Sequence, residues 1–423
     1  VQSRKRQPRI LVAGINYAPE CIGTGKYTSE FCEWLAARGH DVRVVTAPPY
    51  YPEWKVASEH RTRWFRRERR NGVDVIRCPT WVPAKPRGIT RMLHLASFGL
   101  SSIAALIASL PWRPDLVINI APTLASAPGA WAIARIGGAK CWLHIQDFEV
   151  DAAMDMGIVD AGPLRRMVLA VERVLLRRFD VVSTISPKMI ERLTDKGVAL
   201  ERRASFPNWA DIERIRPLTA PSAYRAELDI PERAIVALYS GNMGLKQGLE
   251  LLGKTARRLA DEPHLYFVFG GEGPARAELE AACAGLPNVR FLGLQPTERM
   301  QDWLGLADIH LLPQRADVAD LVMPSKLTGM LASGRVVLAT ALPGTGVAHA
   351  IAGCGIATPP GDANAFTGAL RELLSDSDLR RDLGDAARAR AEHDLARDAI
   401  LARIDARIRA LLLDTIPDKA TPA

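Results

Sequence analysis

Short, mostly β-branched apolar runs alternate with longer amphipathic stretches along nearly the whole chain. Ile10–Gly14 and Asp41–Thr46 have the composition of strands buried on both faces. Between them, Tyr27–Arg38 spaces its apolar residues three and four apart and stops at Gly39, which predicts a helix. This opening predicts a parallel, doubly wound α/β sheet. Further strands are expected at Val73–Arg77, Leu116–Ile120, Lys140–Ile145 and Val181–Ile185. The pattern restarts at Ala234–Ser240 and continues with strands at Leu265–Phe269, Val289–Leu292, Ile309–Leu312, Val336–Ala339 and Gly355–Thr358. The Pro-containing stretch Phe206–Pro217 reads as a linker. Two Rossmann-like domains follow, residues 1–210 and 211–423. A charged helix from about Ser377 to Leu413 is expected to close the chain and pack back on the first domain. A length of 423 residues supports two cores rather than one.

One stretch, Met92–Leu110, is apolar enough to be compared with a membrane span. It carries His94, Ser97, Ser101 and Ser102, and it predicts a core helix instead. The basic tail Val1–Arg9 precedes an apolar run that ends at Ile15, too short for a signal peptide. The six cysteines are scattered without metal-ligand spacing and read as reduced thiols, as in a cytoplasmic protein.

Charge changes the picture more than composition does. Residues 1–210 hold 31 basic against 19 acidic residues, whereas the remainder is acidic by four. The first domain therefore predicts an anionic partner. Its densest basic run, Arg61 to Arg70, includes Arg61, Arg63, Arg66 and Arg67 with Trp64 and Phe65 interleaved. That run suits an anionic membrane surface or acceptor, or nucleic acid, and its plainest alternative is a solvated face.

Two segments predict anion binding. Val322–Arg335 runs from a polar loop through Pro324, Ser325 and Lys326 into a short apolar helix and then a strand. Tyr239–Gly248 also joins a strand to a helix, through Gly241, Asn242 and Lys246. Backbone N–H groups at such junctions, with a lysine in the first turn, favour phosphate. Two junctions in one domain point to a diphosphate.

Asn16–Gly25, Pro207-Asn208-Trp209, Gly241–Lys246, Phe269–Gly273 and Pro324–Lys326 together resemble retaining glycosyltransferases of family 4, over nearly the whole chain. Trp142–Ala153 and Pro324–Met330 resemble the branch of colanic acid biosynthesis glycosyltransferases, regarded as fucosyltransferases. The resemblance implies a GT-B fold, two Rossmann-like domains facing a central cleft. It also implies a nucleotide diphosphate sugar as donor, GDP-fucose in this branch, and a polyprenyl-diphosphate-linked saccharide acceptor at the inner face of the cytoplasmic membrane.

The resemblance also assigns residues. Gly23, Thr24 and Gly25 match the N-terminal glycine loop. Lys246 matches the second member of a basic pair whose first member is replaced by Asn242, which leaves Lys326 and Ser325 to hold more of the diphosphate. Gly271 and Gly273 match the second glycine turn, and Leu294 and Gln295 fall where the base should lie. Two glutamates of the family fall on Asp320, able to accept from donor sugar hydroxyls, and on Thr328, a weaker partner for the ribose. His144 and Asp147 fall beside the reacting sugar; a core histidine is the alternative for His144. Asp147-Phe148-Glu149 weakly resembles a metal-binding motif, but lysines and helix ends suffice for the leaving group, so no essential metal or cofactor is expected. An epimerase or hydrolase on the same fold, a nucleic-acid-binding protein and a dinucleotide oxidoreductase are the competing readings.

Overall fold

In the N-terminal unit the strands are β1 (Arg9–Ala13), β2 (Asp41–Thr46), β3 (Arg66–Arg70), β4 (Val73–Arg77), β5 (Leu116–Ala121), β6 (Lys140–Ile145), β7 (Val181–Thr184) and β8 (Arg203–Ser205). They form one sheet in the order β3-β4-β2-β1-β5-β6-β7-β8, parallel throughout except for the β3–β4 hairpin. Its helices are α1 (Gly23–Ala37), α2 (Gly88–Ala108), α3 (Ala127–Gly137), α4 (Glu149–Asp155), α5 (Pro163–Leu176) and α6 (Pro187–Asp195). All six residues of β5 are buried, as a central parallel strand covered on both faces requires.

The computed structural model describes residues 7–20, 23–61, 64–86, 88–155, 162–316 and 324–413. The chain divides into two units, residues 1–207 with 401–423 and residues 208–400. In the second, α7 (Tyr224–Glu227) precedes β9 (Ile235–Ser240), and α8 (Glu250–Arg258), β10 (Leu265–Gly270), α9 (Arg276–Ala282), β11 (Val289–Leu292) and α10 (Met300–Gly305) follow. Then come β12 (Ile309–Leu312), α11 (Lys326–Ala332), β13 (Val336–Thr340), α12 (Gly346–Ile351), β14 (Gly355–Thr358), α13 (Ala363–Ser375) and α14 (Ser377–Asp394); the last helix, α15 (Arg397–Leu413), belongs from Leu401 on to the first unit. The sheet order β11-β10-β9-β12-β13-β14 is that of a doubly wound fold, and the winding reverses between β9 and β12.

The period-2 alternation of the strands separates two cores. Val236, Leu238 and Val337 turn to a layer with Trp303, Met330, Leu331 and Ala387. Ala237, Tyr239 and Leu338 turn the other way, onto Leu252, Phe366 and Leu370. Helix starts are capped from the sequence: Asp362 accepts from the amides of Asn364 and Ala365, and Asp376 from that of Leu379.

Three expectations are corrected. The single helix predicted over Ser377–Leu413 is two helices that meet at Leu395–Ala396, where Ala396 bridges to Ala210. The second half of the basic run is an edge strand rather than an irregular patch, its exposed arginines partly paired: Arg67 and Arg43 share Asp74, Arg66 pairs with Glu68 and Arg70 with Glu33. Arg61 is exposed and donates to the Val56 carbonyl, Trp64 and Phe65 are exposed, and Arg63 lies outside the described residues. The apolar stretch forming α2 is only half a core helix. His94, Phe98, Ser102 and Leu106 are buried, while Ile89, Met92, Leu93, Leu100, Ile103 and Ile107 are exposed.

One buried ion cluster ties helices of the N-terminal unit together. Lys196, just past α6, donates to Glu172 of α5 at 2.6 Å and to Asp151 of α4 at 2.9 Å, and its ammonium faces the Phe148 ring. Burial raises the Glu172 carboxyl above its ordinary range, and Lys196 opposes that shift. Replacing Lys196 with Met leaves Glu172 buried without its cation and is expected to cost about 3 kcal/mol in urea unfolding. The double change Lys196→Met with Glu172→Leu should recover most of that loss; equal stability of the single variant and the parent would contradict the analysis.

Candidate functional site

In the C-terminal unit, the residues of both anion-binding segments meet at the switch point, beyond the end of β9. The stem of Lys326 lies along Gly241, where a β-carbon would stand 3.2 Å from Lys326 Cδ. Its ammonium sits 4.2 Å from the centre of the Tyr239 ring and 3.4 Å from Gln247 Oε1. No carboxylate pairs with it among the described residues. Burial pulls Lys326 from an ordinary value of 10.5 down to about 7. An ammonium held so, over an aromatic face, lacks an anion that a diphosphate supplies.

The two glycine turns exist because they pack backbone to backbone. Gly271 has φ +142°, and a β-carbon there would lie 1.9 Å from the Gly241 carbonyl oxygen. Gly273 has φ +152°, and a β-carbon would lie 2.5 Å from the Met243 carbonyl oxygen. The amide of Gly241 donates to Gly270, that of Met243 to Glu272 and that of Ala275 to Met243. Asn242 does not replace the family's missing cation: its side chain lies against Gly244 and Gly273, and its carbonyl accepts from the Tyr239 hydroxyl at 2.6 Å.

Other residues of this unit are less committed to a ligand. Lys246 falls in the 3-10 turn Leu245–Gln247, and its side chain lies outside the described residues, as does Asp320. Ser325 is exposed at the start of α11. Thr328 is buried and donates its hydroxyl proton to the Ser325 carbonyl, so it serves its own helix before any ribose. Leu294 is exposed, and Gln295 is held by the Tyr224 hydroxyl and the Gly293 carbonyl. Beside the turn, a cavity of about 460 Å³ is lined by Gly248, Lys254, Gln314 and Arg315.

The N-terminal unit has its own loop cluster at the carboxyl end of its sheet. Gly23, Thr24 and Gly25 open α1; Gly23 has φ +57° and Gly25 lies on Glu20, which a β-carbon would approach to 3.0 Å. Sequence reasoning missed Glu20. Its carboxylate accepts from the amides of Tyr50 and Tyr51 and from Asn16, and so pins the loop after β2 to the glycine turn. Burial raises its pKa against those hydrogen bonds. The signal available was an acid inside an otherwise apolar, Pro-containing turn.

His144 is a core residue. Its Nδ1 pairs with Ser183, its Nε2 with Gln146, its ring lies against Phe206, and burial drives its pKa down to about 3. Both ring nitrogens of this imidazole on β6 are hydrogen-bonded within the unit, the arrangement expected of the core alternative. Asp147 follows the strand, its pKa raised by burial and lowered by the charge of Arg91. Glu149 stands beside it, pushed up to about 7, with Oε2 accepting from the Leu124 amide and Oε1 buried without a hydrogen-bond partner. Among the described residues no group of three His, Cys, Asp or Glu side chains converges to hold a metal ion.

Residues 23–209 match the Glycosyl transferase 4-like domain and residues 234–376 match Glycosyl transferases group 1. The chain is 41% identical, over 93% of its length and 98% of the relative's, to the protein described as the colanic acid biosynthesis glycosyl transferase WcaI of Escherichia coli K12. It is a family-4 glycosyltransferase. The fold agrees: sucrose-phosphate synthase from Thermosynechococcus elongatus superposes with a TM-score of 0.75 at 20% identity, covering 97% of this chain and all of that one. WaaG, a glycosyltransferase of lipopolysaccharide biosynthesis, superposes with a TM-score of 0.64 at 19% identity, covering 94% and 99%. Both are GT-B structures, and the transferase has that fold.

The Lys326 ammonium of the transferase gives a signed pH dependence. Its folded pKa lies below its unfolded one, so between about pH 7 and 9 the unfolded chain binds more protons and stability rises with pH. Lys326→Met should flatten this slope in paired urea titrations. A diphosphate restores the proton, so nucleotide binding at pH 8 should take up protons, read by calorimetry in two buffers of different ionisation heat. Equal heats in both buffers would contradict the assignment.

Proposed function

We propose that the transferase moves fucose from GDP-fucose to a polyprenyl-diphosphate-linked oligosaccharide in exopolysaccharide biosynthesis, at the inner face of the cytoplasmic membrane and without an essential metal. The observation that carries the donor class is the Lys326 ammonium, set against Tyr239 and Gly241 with no described carboxylate partner. The relationship to the colanic acid biosynthesis glycosyl transferase supports the place in exopolysaccharide biosynthesis.

In this reading the bond between the sugar's anomeric carbon and the diphosphate oxygen breaks as Lys326 and the turn amides gather the developing charge. An acceptor hydroxyl attacks the same face, its proton passes to the leaving phosphate, and configuration is retained. Asp147 and Glu149 of the N-terminal unit are the acids available to orient acceptor hydroxyls. The ion pairing of the β3 arginines weakens the nucleic-acid reading, because a basic strand already matched by Asp74, Glu68 and Glu33 has less charge for phosphates.

The test is thermal stabilisation by GDP, UDP, ADP and TDP and their sugars, with and without magnesium, followed by transfer to a lipid-linked acceptor. A ligand at a hundred times its Kd adds about 2.7 kcal/mol, a visible shift in midpoint. GDP and GDP-fucose should shift the parent, and Lys326→Met should lose roughly ten-fold or more in affinity, as loss of a charged hydrogen bond implies. A response to UDP sugars alone would discard fucose, and no response to any nucleotide would sink the donor assignment.

A further inference from the structure

Of the nineteen large apolar side chains exposed among the described residues, all but Leu245, Leu294 and Leu342 belong to the N-terminal unit, and six lie on α2. Ile89, Met92, Leu93, Leu100, Ile103 and Ile107 recur at three- and four-residue spacing and form a stripe along the helix. The opposite face of α2, with His94, Phe98, Ser102 and Leu106, is buried in the unit. The helix is 21 residues long and apolar enough to cross a bilayer, but only by abandoning that packing, so it is placed to lie on a surface rather than to span one.

A second helix repeats the design. On α5, Met167, Val171 and Val174 are exposed at i, i+4 and i+7 and are flanked by exposed Arg165, Arg166 and Arg173. Between them lies α3: Ile103 and Leu106 of α2 approach its Gly129, and Arg178, just past α5, lies over its Trp131. Its Ile136 is exposed as well. Right-handed crossovers from β4 to β5, β5 to β6 and β6 to β7 carry these helices to one face of the sheet.

Charge selects the occupant. Arg135 of α3 pairs with Asp180 and the charge of Arg91 of α2 acts on Asp147 and Glu149, whereas α5 presents exposed Arg165, Arg166 and Arg173 with a single acid on the helix, Glu172, buried against Lys196. A second copy docking by two-fold symmetry would set arginine against arginine. An anionic bilayer matches both the apolar stripes and the exposed arginines of α5. We propose that the α2–α3–α5 face of the N-terminal unit docks on an anionic lipid surface, with the α2 stripe inserted among the acyl chains and the α5 arginines at the headgroups. This surface is distinct from the β3 run that sequence singled out, and it does not rest on the identity of donor or acceptor.

The experiment is co-sedimentation of the full chain with phosphatidylcholine vesicles, with and without about 30 mol% phosphatidylglycerol, in the absence of nucleotide and sugar. The parent should bind the anionic vesicles, and added salt should weaken that binding. Leu100→Ser with Ile103→Ser and Ile107→Ser, and separately Arg165→Gln with Arg166→Gln and Arg173→Gln, should each lower partitioning roughly ten-fold or more, with thermal midpoint and nucleotide binding unchanged. Failure of the parent to bind, unchanged partitioning of both variants, or conversion of a dimer to monomers by the α2 changes would overturn the proposal. Resistance of the bound chain to alkaline carbonate extraction would overturn it too, in favour of a span. Because the vesicles hold no acceptor, a negative result leaves the transfer reading intact, and a failed transfer assay leaves this one intact.

Discussion

A cation held without its anion organises the C-terminal unit. Lys326 is extended along a glycine and over an aromatic ring, and both arrangements need the turn after β9 to be packed where it is. That turn is packed backbone against backbone, because Gly271 and Gly273 let it approach the turn after β10 closer than any side chain permits. The sheet order places the turn after β9 and the start of α11 at the reversal of winding. Strand order, glycine contact and lysine burial are thus successive consequences of one packing problem, and the site is what its solution leaves open.

Much of this was legible in sequence for a physical reason. Parallel strands are buried on both faces and read as continuous apolar runs, so every strand expected in both halves is present within a residue or two. The short β8 was missed because Arg203–Ser205 has neither alternation nor apolar content and is a strand only through β7. The arginine run of β3 was opaque for a related reason: its partner Asp74 is set by pairing with β4 and Glu33 by the placement of α1, not by a pattern along the chain.

Side-chain direction was the other limit. His144 sits at the end of a strand, where a reactive residue and a core residue look alike in sequence. Only the partners Ser183, Gln146 and Phe206, brought by other segments, decide for the core. Thr328 shows the same with a shorter reach, since its hydroxyl bonds the carbonyl three residues back. Lys326 could be picked out because a lysine just past a Pro-Ser loop has few structural uses; its neighbour Tyr239 could not, being one more apolar position of a strand.

The uneven charge of the chain gains a location from the structure. Part of the excess of the first half lies in the run Arg61–Arg70, where Asp74, Glu68 and Glu33 pair with some of the β3 arginines. The helix α5 adds three exposed arginines beside exposed apolar side chains, with its one acid taken out of play by Lys196. Burying that acid does two things at once: it joins α4, α5 and α6 through one ammonium, and it leaves the outer surface of α5 without a negative charge. The hydropathy of α2 gave the amount of apolar surface but not its partner, because a helix with two apolar faces is satisfied by a core on one side only. What covers the other side has to match its charge as well as its hydrophobicity, and within the N-terminal unit no described element does both.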